Sequence, residues 1–111
     1  MTKLFSSYVP DPIGAALGMT GFYQFETNIG VSGLAKASGN RLYVLAVISA
    51  APGTGQFREF VRQAKSAYHK IVFLEILTAE MEAILRRYGF RPGKKRDSMA
   101  WKRHAKGRRI V

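Results

Sequence analysis

The residues of this chain best placed to do chemistry lie where a strand-like apolar stretch gives way to an amphipathic one. Ala51-Pro52-Gly53-Thr54-Gly55 breaks the first pattern, and Gln56 and Phe57 open the second. A helix starting there leaves its first backbone N–H groups without internal partners, and a glycine turn lets that backbone come close to an anion. The chemistry this suits is the binding of a pyrophosphate; a plain strand-to-helix connection would use the same glycines. The chain has no cysteine, so thiol catalysis, disulfides and thiolate-bound zinc are excluded. His69 and His104 are too few and too far apart in sequence to form a metal site, and none is expected.

Cations are the second chemical resource. The formal net charge is +11 over 111 residues, and its distribution is uneven. Up to residue 90 the chain has nine Lys and Arg against six Asp and Glu, whereas residues 91–111 have nine against one. Lys102, Arg103, Lys106, Arg108 and Arg109 crowd the end of the chain. Such a terminus attracts nucleic acid or an acidic protein by a force that salt screens, or serves only as a solubilising tail. Upstream, Arg58, Arg62, Lys65 and His69 recur at helical spacing and form a basic stripe expected to face solvent.

These groups need a scaffold, and the length and the 47% apolar content describe one soluble globular domain. The longest apolar stretch, Leu42 to Pro52, falls short of the roughly 20 residues that span a bilayer, and no signal-peptide pattern opens the chain. The expected location is therefore the cytoplasm. The first twenty residues, with Pro10-Asp11-Pro12 and the small residues of Ile13 to Gly18, are expected to form at most one short helix. Phe22 to Thr27 and Val31 to Ala37 read as half-buried strands, and Ser38-Gly39-Asn40 as a hairpin turn. Leu42 to Ser49 is apolar on both faces, which predicts a central strand.

The spacing of Phe57, Phe60, Val61, Ala64, Tyr68 and Ile71 predicts a helix over Gln56 to Lys70. Ile71 to Ile76 is short and β-branched, and reads as a buried strand. It should lie parallel to Leu42 to Ser49, with the helix as a right-handed crossover between them. Thr78 can cap a second helix that buries Met81, Ile84, Leu85 and Tyr88 and stops at a left-handed Gly89. Ser98 to Arg103 can form a final strand in which Trp101 packs.

This succession of parts, from the glycine turn to Tyr88-Gly89-Phe90-Arg91-Pro92, resembles the cofactor-binding half of the GCN5-related N-acetyltransferase family. The resemblance runs from Val31 to Arg103. It implies an α+β fold with a mostly antiparallel mixed sheet, one parallel strand pair, flanking helices and a reduced N-terminal part. Residues 1–103 would be one such domain and residues 104–111 a basic tail. Acetyl-CoA is the implied ligand, with its pyrophosphate on Gly53, Thr54, Gly55, Gln56 and Phe57, after the fourth strand. Val47 and Ser49 would hold the pantetheine arm and the acetyl carbonyl through their backbone. Pro52 replaces a polar residue of the family loop, and Phe57 replaces a small one. Thr78 and Leu85 stand where the family often has asparagine and its acid tyrosine, so Tyr88, one helical turn away, is the candidate acid, although its place in the apolar stripe suits packing. Glu75 or Glu26 would be the base that deprotonates an amine. The segments Phe57-Arg58-Glu59-Phe60-Val61-Arg62 and Ile84 to Phe90 are similar to short acetyltransferase-like proteins of tailed bacteriophages, including internal virion proteins of podovirus-type phages.

Three classes of function follow. The first is an acetyl-CoA-dependent transferase acting on an amine by direct transfer. The second is a non-catalytic virion or assembly protein with phage structural partners, located in the host cytoplasm or the virion. The third is a basic nucleic-acid-binding module.

Overall fold

The computed structural model describes residues 4–10, 21–51, 53–76, 78–95 and 97–103. Along the chain run β1 (Ser7–Pro10), β2 (Tyr23–Glu26), β3 (Val31–Ser38), β4 (Arg41–Ser49), α1 (Gln56–Ala67), β5 (Lys70–Phe73), α2 (Ala79–Arg87), β6 (Arg91–Pro92) and β7 (Met99–Lys102). The strands form one seven-stranded mixed sheet in the order β1-β2-β3-β4-β5-β7-β6. All described pairings are antiparallel except that of β4 with β5. The expected parallel neighbours are therefore present, joined by α1, and β4 is the central strand its two-sided apolarity predicts.

Local chemistry explains the boundaries. The turn at Gly39 and Asn40 joins β3 to β4, and the Asn40 carbonyl accepts from the N–H groups of His69 at 2.7 Å and Lys70 at 3.4 Å. That anchor starts β5 alongside β4, so α1 ends at Ala67 instead of reaching Lys70 as its periodicity suggests. Arg103 closes the same helix end: its guanidinium donates to the carbonyls of Lys65 at 2.5 Å, Ser66 at 3.2 Å and Tyr68 at 3.4 Å. These are carbonyls that a helix terminus leaves without internal partners. Thr78 caps α2 as expected, its Oγ1 accepting from the Met81 N–H at 3.1 Å. Gly89 takes the left-handed conformation, with φ of 95°.

The core lies between the sheet and the two helices. Phe25, Val31 and Ala35 from β2 and β3, Leu42 and Val44 from β4, and Ile71 and Phe73 from β5 meet Phe60, Val61, Ala64 and Leu85 from the helices. Ring contacts run through this layer: Phe60 stacks on Phe25 at 5.6 Å between centroids, and Phe73 meets Phe90 edge-on at 5.4 Å. Full burial of each large side chain contributes roughly 1.5–3 kcal/mol. Trp101 packs against this core from β7.

Two features depart from the sequence reading. β1 is a strand in a region expected to hold at most a short helix, while Ile13 to Gly18 lie outside the described residues. Tyr8 accounts for β1: its ring stacks on Tyr23 at 4.3 Å and its hydroxyl accepts from the Ala37 N–H at 2.9 Å. β5 stops at Phe73, short of the expected Ile76; beyond it the Ile76 N–H donates to the Asp97 carbonyl at 2.6 Å, one residue out of step with the β5–β7 register. Both described helices pack against the same face of the sheet.

Candidate functional site

The centre of the candidate site is a break in sheet regularity. β3 and β4 pair in register up to Leu34 with Ala46 and resume at Ala35 with Val44, which leaves Leu45 as an extra residue in β4. A bulge of this kind bends its strand and shifts side chains between faces. Leu42 and Val44 point into the core before it, and Val47 packs there after it. Gly33 stands opposite Val47, and a Cβ at Gly33 would lie 2.0 Å from the Ala46 carbonyl oxygen, so the backbones approach closely only because this residue has no side chain.

Beyond Val44, β4 and β5 part. The last link is the Leu74 N–H donating to the Val44 carbonyl at 2.8 Å. A cavity of about 330 Å³ opens between Leu45, Ala46 and Val47 on one wall and Phe73, Glu75 and Ile76 on the other, with Thr78 and Met81 at the start of α2. Ala50 donates to the Gly30 carbonyl at 2.8 Å across the β3 pairing. Strand alternation then turns the backbone groups of Ala46 and Ile48 toward β3 and those of Val47 and Ser49 toward the side that β5 has vacated.

At the end of β4, Gly53 and Gly55 both have positive φ, 85° and 88°, and a Cβ at either would meet no atom of the described residues within 4 Å. Gly55 is the N-cap of α1 and makes no side-chain capping bond. The positive end of a 12-residue helix therefore begins at a turn in which two residues carry no side chain. Thr54 is tied down, its Oγ1 donating to the Ala51 carbonyl at 2.6 Å. Gln56 Oε1 accepts from Ser49 Oγ at 2.7 Å and from the Ala51 N–H at 2.8 Å, so the side chains of these two candidates brace the loop against β4.

The remaining candidates separate. Glu75 lines the cavity as an exposed carboxylate at its rim. Glu26 lies on β2, against the sheet surface around Ser32, Leu34 and Ile48, and so on the other face. Tyr88 is half-buried, its ring centroid 6.3 Å from that of Phe57, and it does not line the cavity. Phe57, which stands in place of a small family residue, turns inward onto Phe73 at 5.9 Å and Phe60 at 6.3 Å.

Comparison with known protein families, with curated proteins and with solved structures finds no match. Among the described residues there is no cluster of three or more potential metal ligands and no helix long and apolar enough to cross a membrane.

The basic residues also part company. Arg58 and Arg62 are on the exposed side of α1, with Arg62 held by Glu59 through a bond from Nε at 3.0 Å and a second from its NH2 group. Arg62 and, after it, the Gln63 amide lower the Glu59 carboxyl to about 2. Lys65 corrects the solvent-stripe expectation. Its amine donates to the Tyr88 carbonyl and lies 5.1 Å from the Trp101 ring centroid and 5.8 Å from that of Phe90. Burial pushes its pKa down. Lys102 is exposed on β7, Arg103 is the helix closure described above, and Lys106, Arg108 and Arg109 lie outside the described residues. Sequence reasoning placed Leu45, Ala46 and Val47 at the end of the ligand-holding strand but missed Gly33 and the bulge at Leu45. A glycine within an apolar strand pattern was the available signal for a bulge or close approach.

Proposed function

We propose that this chain is an acetyltransferase-like protein whose cavity between β4 and β5 takes acetyl-CoA and passes the acetyl group directly to an amine. The observation that carries this reading is the parting of β4 from β5 at the unpaired Leu45, close in the chain to an uncapped, glycine-led helix start. The loop follows the fourth strand of the sheet, the place the resemblance assigns to the pyrophosphate.

The residues present suit such a ligand in three respects. Leu45, Val47, Phe73, Ile76 and Met81 give apolar walls for an alkyl arm. The backbone of Val47 and Ser49 offers donors and acceptors to the amides along that arm. The N–H groups opening α1 suit a pyrophosphate, and the lack of side chains at Gly53 and Gly55 lets it approach. When bound, the thioester supplies an activated acyl carbon. The amine nitrogen bonds to that carbon as the C–S bond breaks, and CoA leaves as its thiolate and takes a proton from solvent. Glu75 accepts the proton that the attacking amine loses, and strand N–H groups near Val47 donate to the oxygen on which charge develops. Tyr88 serves packing.

Thermal unfolding with acetyl-CoA tests the reading. A ligand that binds only the folded state stabilises it by about 2.7 kcal/mol at a hundredfold excess over its Kd. Gly55→Asp should remove that shift by placing a negative charge at the helix start. If millimolar acetyl-CoA leaves the melting temperature unchanged, the non-catalytic virion or assembly reading replaces the enzyme.

A further inference from the structure

The sheet face opposite the helices carries cations that the cavity does not use. Register sets Arg41 beside Lys70 and Lys70 beside Lys102, so three cationic side chains form one row across β4, β5 and β7. Neighbouring strands are roughly 4.8 Å apart, which gives the row a regular spacing over three strands. One pleat step along, Tyr43, Val72 and Ala100 form a parallel row, with Lys36 paired to Tyr43 and Arg91 paired to Ala100 at its two ends.

A groove of about 480 Å³ lies on this face, floored by Tyr43, Val72 and Ala100 and edged by Lys70, Lys94 and Lys95. The described salt bridges, Glu59 with Arg62 and Glu82 with Arg86, both lie on the helices, so neither neutralises the row. Glu26 is the acidic residue on the strands of this face, and it lies on β2, separated by β3 from Arg41 at the near end of the row. Asp97 is the acidic residue of the turn that bears Lys94 and Lys95.

A single phosphate would need one or two of these groups. A row of three with more lysines along the groove matches an anion that repeats. The half-buried Tyr43 ring in an apolar floor adds a flat surface for an unpaired base, which a duplex hides and an acidic peptide lacks. We propose that this face binds single-stranded nucleic acid, with phosphates along Arg41, Lys70 and Lys102 and a base against Tyr43. The proposal rests on the sheet register and is independent of acyl transfer, so either can fail alone.

The test is fluorescence anisotropy of the full-length chain with a labelled oligothymidylate of about a dozen nucleotides, as a function of salt. Arg41→Gln/Lys70→Gln/Lys102→Gln should weaken binding at least about tenfold at low salt and flatten the log–log salt slope by about 2. Arg58→Gln/Arg62→Gln, on the helix side, should leave both unchanged. Tyr43→Leu should weaken the thymidine oligomer about fivefold or more while leaving an abasic oligomer of equal length unaffected. The exposed-turn variant Lys94→Gln/Lys95→Gln, which spares the strands, should also weaken binding and serves if the triple variant fails to fold. The proposal is overturned if the folded triple variant or the turn variant binds as the parent does. It is equally overturned if Tyr43→Leu affects both oligomers alike, or if polyglutamate of the same charge competes as well as oligothymidylate, which would assign the face to an acidic protein.

Discussion

Gly33 is the residue on which the cavity's geometry turns. A methyl group there would meet the Ala46 carbonyl at 2.0 Å, and the β3–β4 pairing would have to open beside the bulge. Gly33→Ala should cost about 1–3 kcal/mol of stability, read by denaturant unfolding, and weaken any acetyl-CoA shift. Glu75→Gln separates roles at the cavity rim. It should preserve the ligand-induced shift and lower transfer to an amine by about 100-fold or more, since it removes only a proton acceptor. Glu59 gives a pH signature. Its carboxyl sits at about 2 in the fold against an ordinary 4.5, so its pair with Arg62 supports folding above 4.5 and loses that support as pH falls through about 2. A carboxyl NMR titration should place its midpoint near the lower value, and Arg62→Gln should return it toward the ordinary one.

At the level of elements, one helix end is closed by a side chain distant in sequence and another by a local cap. Arg103, from just beyond β7, holds three carbonyls at the end of α1 and also donates its own N–H to the His69 carbonyl at 2.7 Å. Arg103→Ala should therefore destabilise the fold by about 1–2 kcal/mol through the freed helix terminus. Thr78→Ala removes a local cap of α2 and should cost about 1 kcal/mol, seen as a lower unfolding midpoint with an unchanged denaturant slope. Phe60→Ala, which empties the contact between α1 and β2, should cost about 3–5 kcal/mol.

For the whole molecule, the distribution of charge sets what should be cut. Lys102 belongs to β7 and Arg103 to the closure of α1, so the separable basic tail begins at His104. Deleting His104 to Val111 removes Lys106, Arg108 and Arg109 while keeping every described strand and helix. The shortened protein should unfold at nearly the parent's midpoint, bind nucleic acid more weakly and show a salt slope flatter by about 2 for single strands. If both sheet and tail contribute, this loss should add to that of the sheet-face variant, because separate sites act independently.

The amino-acid order alone determined most of the elements. The periodic stripe of Phe57, Phe60, Val61 and Ala64 marked α1, Thr78 and Gly89 marked the limits of α2, and two-sided apolarity marked β4 as central, because these signals depend on neighbours three or four residues apart. Only the tertiary structure decided which residues meet. The Leu45 bulge exists because Leu34 and Ala35 pair out of step with β4; Gly33 in β3 signals a close approach, but nothing within β4 alone says that Leu45 is the residue left over. Lys65 turned from solvent because Tyr88 and Trp101, far along the chain, offered it a carbonyl and a ring. The row of Arg41, Lys70 and Lys102 follows from register across three strands, and no single segment of the sequence contains it.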